Sequence, residues 1–136
     1  MKTIGIIGSR RRDTSADYKA CRKIFFSIYE EGDHIVSGGC PKGGDKYAEL
    51  IAKELGLTEN NQGLIIHRAD WKRYGRGAGF IRNTPIAQDS DVLIAVVSHD
   101  RRGGTEDTIK KAEKMGKKII LVPQIPIEEF DPLDDT

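Results

Sequence analysis

The sequence predicts an α/β domain built on a doubly wound, mainly parallel sheet of about five strands. Three observations predict it. Short apolar runs alternate with helical patterns, and the runs are continuous rather than alternating. The segments that follow the runs are rich in Gly, Ser, Arg or Asp, whereas the loops at the opposite ends are not. Continuous apolar strands belong in sheets covered on both faces, and strand–helix alternation is the signature of crossover connections.

The first strand is TIGIIG at 3–8, followed by a helix whose apolar positions Tyr18, Cys21, Ile24, Phe25 and Ile28 recur at helical spacing, with Gly32 as its stop. The second strand is HIVSG at 34–38. A helix follows Asp45, with Tyr47, Ala48, Ile51, Ala52 and Leu55 facing inward and Gly56 closing it. GLIIH at 63–67 is the third strand. Segment 79–89 allows two readings, because Pro85 either opens a short helix capped by Thr84 or kinks a longer one. DVLIAVV at 91–97 is the fourth strand, and a helix from Thr105 to Gly116 carries Ile109, Ala112 and Met115 on its apolar side. KIILVP at 118–123 is the fifth strand. Residues 1–123 thus form one domain, and residues 124–136, ending EEFDPLDDT with five acids, form an acidic arm or tail.

Composition sets the class. With 136 residues, 38% hydrophobic, 32% charged and 15 glycines, the chain suits one soluble globular domain with a real core. No apolar run approaches the ~20 residues of a membrane span, and the N-terminal run is too short for a signal peptide, so a cytoplasmic setting is expected. Cys21 and Cys40 are too few for a disulfide framework, and no metal site is expected. The net charge of +1 is uninformative, but its placement is not: nine of ten arginines follow apolar runs. Arginine forks onto phosphate and carboxylate.

In doubly wound sheets ligands bind outside the carboxyl ends of the strands, which gathers four loops into one surface. GSRRRDTS supplies Gly8, Ser9 and Arg10, with Arg11 and Arg12 read as solvated. SGGCPKGGD supplies Gly38, Gly39, Gly43 and Asp45 at a strand-to-helix turn where backbone N–H groups approach an anion. It lacks the Lys-Ser/Thr pair of a Walker loop and does not read G-x-G-x-x-G. HRADWKRYGRGAGFIRN supplies Arg82 and Asn83, and its three glycines are read as bare peptide brought to the same anion. Trp71 in this segment either stacks on a base or forms a lid over the core. SHDRRGGTED supplies Gly103, Gly104 and Thr105, the last as helix cap or phosphate donor. Glu106 and Asp107 suit the positive end of that helix, and one of them is placed to hold a ribose hydroxyl or stabilise positive charge on a sugar carbon. His67 and His99 lack partners that would make a triad or metal site, Cys40 is a reactive-thiol candidate, and Cys21 belongs to the core.

IGIIGSR, IVSGGCPKGGDKYAELIAKELGL, HRADWKRYGRGAGFIRN, SDVLIAVV and GGTEDTIKKAEKMGKKI, in that order, resemble the SLOG superfamily of Rossmann-like proteins. That group includes the cytokinin-activating LOG phosphoribohydrolases and the DNA-processing protein DprA. The A-D-W…G…A-G-x-x-R-N block resembles the YspA/YpsA-related branch. The resemblance covers about residues 3–122 and implies a parallel Rossmann-like sheet with a nucleotide or nucleotide-derived ligand over the strand ends. LOG enzymes pair an arginine with a glutamate in P-G-G-x-G-T-x-x-E. The matching RRGGTED lacks the proline, has shorter glycine spacing and puts Asp107 near the glutamate's place, so Arg82 and Asp107 are the corresponding catalytic candidates. The expectation is a nucleotide-binding sensor or binding module with no further cofactor. The alternatives are hydrolysis of the N-glycosidic bond of nucleoside 5′-monophosphates and binding of single-stranded nucleic acid. Self-association is also implied by the likeness.

Overall fold

The computed structural model describes residues 1–123, so the expected acidic tail at 124–136 lies outside the described residues. Five parallel strands, β1 (Thr3–Gly8), β2 (His34–Ser37), β3 (Leu64–Ile66), β4 (Val92–Val96) and β5 (Lys118–Leu121), form one sheet in the order β3-β2-β1-β4-β5. The chain winds outward from β1 to β3 and then returns to set β4 beside β1. Register pairs Ile6 with Ile94 and Gly8 with Val96. The switch point between β1 and β4 opens the crevice in which such sheets bind ligands.

Helices α1 (Ser15–Ile28) and α2 (Gly44–Glu54) cover one face, and α4 (Ala78–Asp89) and α5 (Gly104–Lys114) the other. The alternation within β1 decides which residue meets which layer. Ile4 and Ile6 join Phe25, Tyr47 and Ile51 in one core, while Ile7 joins Ile86, Leu93 and Ile109 in the other. Cys21 is fully buried in the first core, as expected, and burial pushes its thiol up to about 12.

Two local expectations are resolved or corrected. Helix α4 runs unbroken through Pro85, so neither a short helix nor a Thr84 cap forms. A single turn, α3 (Trp71–Tyr74), capped by the Asp70 side chain on Arg73 N, and a 3-10 turn at Gly75–Gly77 precede it. Phe80 and Ile81 on α4 stay exposed, an apolar pair that no stripe in the sequence marked.

Arg12, expected at a wet surface, is 5% exposed. Its Nε donates to Asp17 Oδ1 at 2.9 Å, Nη1 to Val122 O at 2.9 Å and Nη2 to Pro123 O at 2.7 Å. Its own carbonyl accepts the Tyr47 hydroxyl at 2.6 Å. The guanidinium therefore ties the β1–α1 loop to the chain leaving β5. Those carbonyls lie beyond the last ladder bond, and five donors on one planar group satisfy them where a shorter side chain would not.

Asp33, 1% exposed, ties the amino ends of β1 and β2 together. It accepts from Lys2 N at 2.9 Å, Lys2 Nζ at 2.7 Å and Glu30 N at 2.9 Å. Burial disfavours its charged form, but these bonds outweigh burial and hold the carboxyl below its ordinary value.

Two predictions follow from these ties. Arg12→Met strands the Asp17 carboxylate and should lower unfolding free energy by about 3–5 kcal/mol in urea titration, with Arg12→Met/Asp17→Leu recovering part of it. For Asp33, a carboxyl whose folded value is depressed stabilises above its unfolded value, and that contribution is lost as pH falls through the folded one. Urea midpoints measured from pH 7 to below pH about 4 should decline more shallowly for Asp33→Asn than for the parent, from a lower plateau.

Candidate functional site

The rim begins with a backbone-on-backbone contact. A Cβ on Gly44 would lie 2.1 Å from Ile7 C, and one on Gly43 would lie 2.4 Å from Ser9 O. The start of α2 therefore rests directly on the end of β1, which only glycine permits. Gly43 N donates to Asp13 Oδ1 at 3.0 Å and locks the two loops together. Ser37 Oγ donates to Asp45 O at 3.0 Å and accepts from Gly39 N at 3.1 Å, shaping the turn from β2 into α2.

Over this base lies a cavity of about 420 Å³ at the carboxyl ends of β1 and β4. Gly8, Ser9 and Arg10 line it from the first loop, Asp45 from the second, Arg82 and Asn83 from α4, and Gly103, Gly104 and Thr105 from the last loop. Four separate segments of chain thus meet at one place. Gly38 and Gly39 line an adjoining cavity of about 510 Å³ that shares Arg10, Arg11, Cys40 and Arg82 with the first. Two of the proposed residues line neither. Gly43 is buried against Ser9, and Asp107 stands behind Asn83.

Arg82 and Asn83 act as a bracket between loops. Arg82 Nη1 donates to Gly38 O at 2.5 Å and Nε to Asn83 Oδ1 at 3.2 Å. Asn83 is 4% exposed, and its Nδ2 donates to Gly104 O at 3.2 Å and Asp107 Oδ2 at 3.1 Å. The glycine turn after β2 is thereby joined to the glycine turn after β4. Asp45, 7% exposed, accepts from Cys40 N at 3.2 Å. Burial raises its carboxyl above the ordinary value, against the opposing charge of Arg82. Gly38 makes room for both groups, because a Cβ there would meet Asp45 Oδ2 at 2.7 Å and Arg82 Nη1 at 2.9 Å.

The charges divide cleanly. Asp107 Oδ2 accepts from Lys111 Nζ at 2.8 Å as well as from Asn83, and Glu106 takes a two-pronged bond from Arg101 at 2.8 Å per contact. Arg11 is engaged with Asp100. Among the described residues, Arg10 and Arg102 have no acidic partner, and both line the cavity. Helix α5 has Gly103 as its N-cap and no side-chain cap bond, so capping does not account for Thr105. Its side chain lines the cavity beside first-turn amides, a favourable place for an anion.

Arg102 and Thr108, which also line the first cavity, and Lys42 and Arg68, which help line the second, lie outside the set of site residues expected from the sequence. Arg102 stood one residue from the named glycines, and its position after β4 was the available signal. The glycines of the GRGAGF stretch had another destination. Gly75, Gly77 and Gly79 line neither cavity, and only Gly79, where a Cβ would lie 3.5 Å from Trp71 Cη2, approaches the rim. His67 does have a partner, Asp89 Oδ2 at 2.5 Å from Nε2, away from the first cavity. Among the described residues no cluster of three His, Cys, Asp or Glu is placed to hold a metal ion, and no helix is long and apolar enough to cross a membrane.

The close contact yields a differential test. Gly44→Ala forces backbone apart and should lower the melting temperature and destabilise by about 1–3 kcal/mol or more. Gly77→Ala, at φ −79° with nothing within 4 Å, should be neutral or stabilising by about 0.4–1 kcal/mol. Parallel thermal melts of the two variants read the difference.

No family model matches the chain. It is similar to the Gene 61 protein of Mycobacterium phage D29, with 29% identity over 86 residues that cover 63% of this chain and 68% of that protein. Among solved structures it is similar to the molybdenum cofactor binding protein of the phototrophic bacterium Rippkaea orientalis. That match has a TM-score of 0.62 at 25% identity, over 88% of this chain and 75% of the other. The X-ray structure of TM1055 gives a TM-score of 0.61 at 17% identity, over 88% and 72% of the two chains. The chain shares its Rossmann-like parallel α/β fold with both, and one of the two is a cofactor-binding protein.

Proposed function

We propose that residues 1–123 bind a nucleotide or nucleotide-derived ligand through its phosphate at the carboxyl ends of β1 and β4, as a sensor or binding module. The observation that carries this reading is the mismatch of charges around the 420 Å³ cavity. Arg10 and Arg102 line it without acidic partners among the described residues, while Glu106 and Asp107 beside it are already engaged by Arg101 and Lys111. Thr105, the first-turn amides of α5 and Ser9 add neutral donors of the kind that cradle phosphate. The cavity falls within the ~300–1,000 Å³ range typical of small-molecule sites. The cofactor-binding neighbour supports a small ligand in this fold. The SLOG-type reading, with its YspA/YpsA-related branch, rests on the motifs of the same loops.

Hydrolysis of a base–ribose bond through Arg82 and Asp107 demands more of this geometry. Asp107 would have to leave Lys111 and Asn83 before its carboxylate could face a sugar carbon. Arg82 also carries structure, since it holds Gly38 O and faces Asp45, so an Arg82 substitution disturbs the glycine turn as well as any ligand. Arg10 is the cleaner probe.

Thermal-shift titration with nucleoside 5′-monophosphates and the matching nucleosides tests the proposal. Monophosphates should stabilise the protein by about 2.7 kcal/mol at about 100 times Kd, and nucleosides should do so far less. Arg10→Ala should weaken the monophosphate response without lowering the melting temperature of the free protein. Equal responses to nucleoside and monophosphate would refute a phosphate-anchored site. Free base appearing on incubation would instead establish the hydrolase.

A further inference from the structure

The second cavity adjoins the first and is more basic, because Asp45 lines only the first. Arg10, Arg11, Lys42, Arg68 and Arg82 line it, and among the described residues no carboxylate does. Arg11 and Arg68 are paired with Asp100 and Glu59, but Arg10 and Lys42 have no acidic partner closer than 4.0 Å among the described residues. The two cavities meet along Arg10, Arg11, Cys40 and Arg82, so a molecule passing from one to the other must pass three guanidinium groups.

Trp71 also lines this second space and not the first. It is the only tryptophan and is 55% exposed. The one-turn helix α3 and the Asp70 cap hold it there, and the start of α4 supports its ring. A Cβ on Gly79 would lie 3.5 Å from Trp71 Cη2 and 4.0 Å from Arg82 Nη2. The indole is thus brought to the guanidinium ridge rather than folded over the hydrophobic core. An exposed indole beside cationic side chains is a stacking platform for a flat ring attached to an anion.

We infer that the ligand consists of two linked nucleotide units, with one unit in each cavity, its bridging phosphate on the Arg10–Arg82 ridge and the second base stacked on Trp71. The inference rests on the phosphate-anchored reading of the first cavity and extends it. A linked phosphate matches the shared arginines, and a second ring gives Trp71 a partner. The chemistry is common to pyrophosphate-linked dinucleotides and to the end of a single strand, and the test separates these sources.

Intrinsic fluorescence and calorimetric titration with AMP, diadenosine diphosphate and the phosphodiester dinucleotide pApA carry that test. At least one two-unit ligand should bind about tenfold or more tightly than AMP and quench Trp71, which AMP leaves largely unchanged. Diadenosine diphosphate alone doing so identifies a free dinucleotide, and pApA alone identifies a strand end. Trp71→Leu should bring two-unit binding down to the level of AMP while AMP binding and the melting temperature stay as they were. Two-unit ligands that bind no tighter than AMP, or AMP quenching Trp71 as strongly as they do, would overturn the inference and leave the first cavity standing. If none of the three ligands binds, the phosphate-anchored reading fails with it.

Discussion

The direct contact of Gly43 and Gly44 with the end of β1 is the constraint on which the site depends. With 2.1–2.4 Å between their missing Cβ positions and the backbone of Ile7 and Ser9, the start of α2 has no freedom to stand off from the sheet. The turn after β2 is therefore drawn across the top of β1. There its glycines lie within reach of Arg82 from the other face of the sheet. A longer or bulkier turn would separate the second loop from the first, and the switch-point crevice would lose one wall. The entropy lost by ordering two adjacent glycines is offset by this fit.

From that contact outward the rim is assembled by side chains that reach between loops. Arg82 and Asn83 sit one residue apart on α4 and bond in opposite directions, one to the turn after β2 and the other to the turn after β4. Asp13 joins the first loop to the second, and Arg12 anchors the first loop to the end of β5. The four loops are therefore a single bonded unit standing on rigid elements. That is the general condition for a preorganised binding site.

The arginines, so alike in sequence, have three separate fates. Arg12 is buried as a carbonyl clamp; Arg11, Arg68 and Arg101 are paired with carboxylates; Arg10 and Arg102 line the cavities with no acidic partner among the described residues. The acidic groups near the rim are divided in the same way. Asp107 and Glu106 have cations of their own, and Asp45 is held under Gly38 and Cys40. Among the described residues the first cavity is lined by four arginines and one aspartate, although the chain carries a net charge of only +1. Local pairing, rather than total charge, sets what such a surface attracts.

The sequence by itself determined the parallel sheet, the flanking helices and the set of loops at the carboxyl ends of the strands. These are written in local periodicity: continuous apolar runs need cover on both faces, and βα connections bring their leading loops to one edge. Only the tertiary structure decided which polar groups in those loops remain available. Arg10 and Arg12 stand two residues apart in one run, and nothing local separates them. Their difference arises because Val122 O and Pro123 O, more than a hundred residues away, come within reach of one and not the other. Asp107 reads as a site carboxylate until α4 and α5 pack and place Asn83 and Lys111 on it. Pro85 reads as a possible break until burial of Ile86 and Ala87 against the sheet outweighs the loss of one helical hydrogen bond. A side chain's partner is a non-local quantity, and spacing along the chain does not encode it.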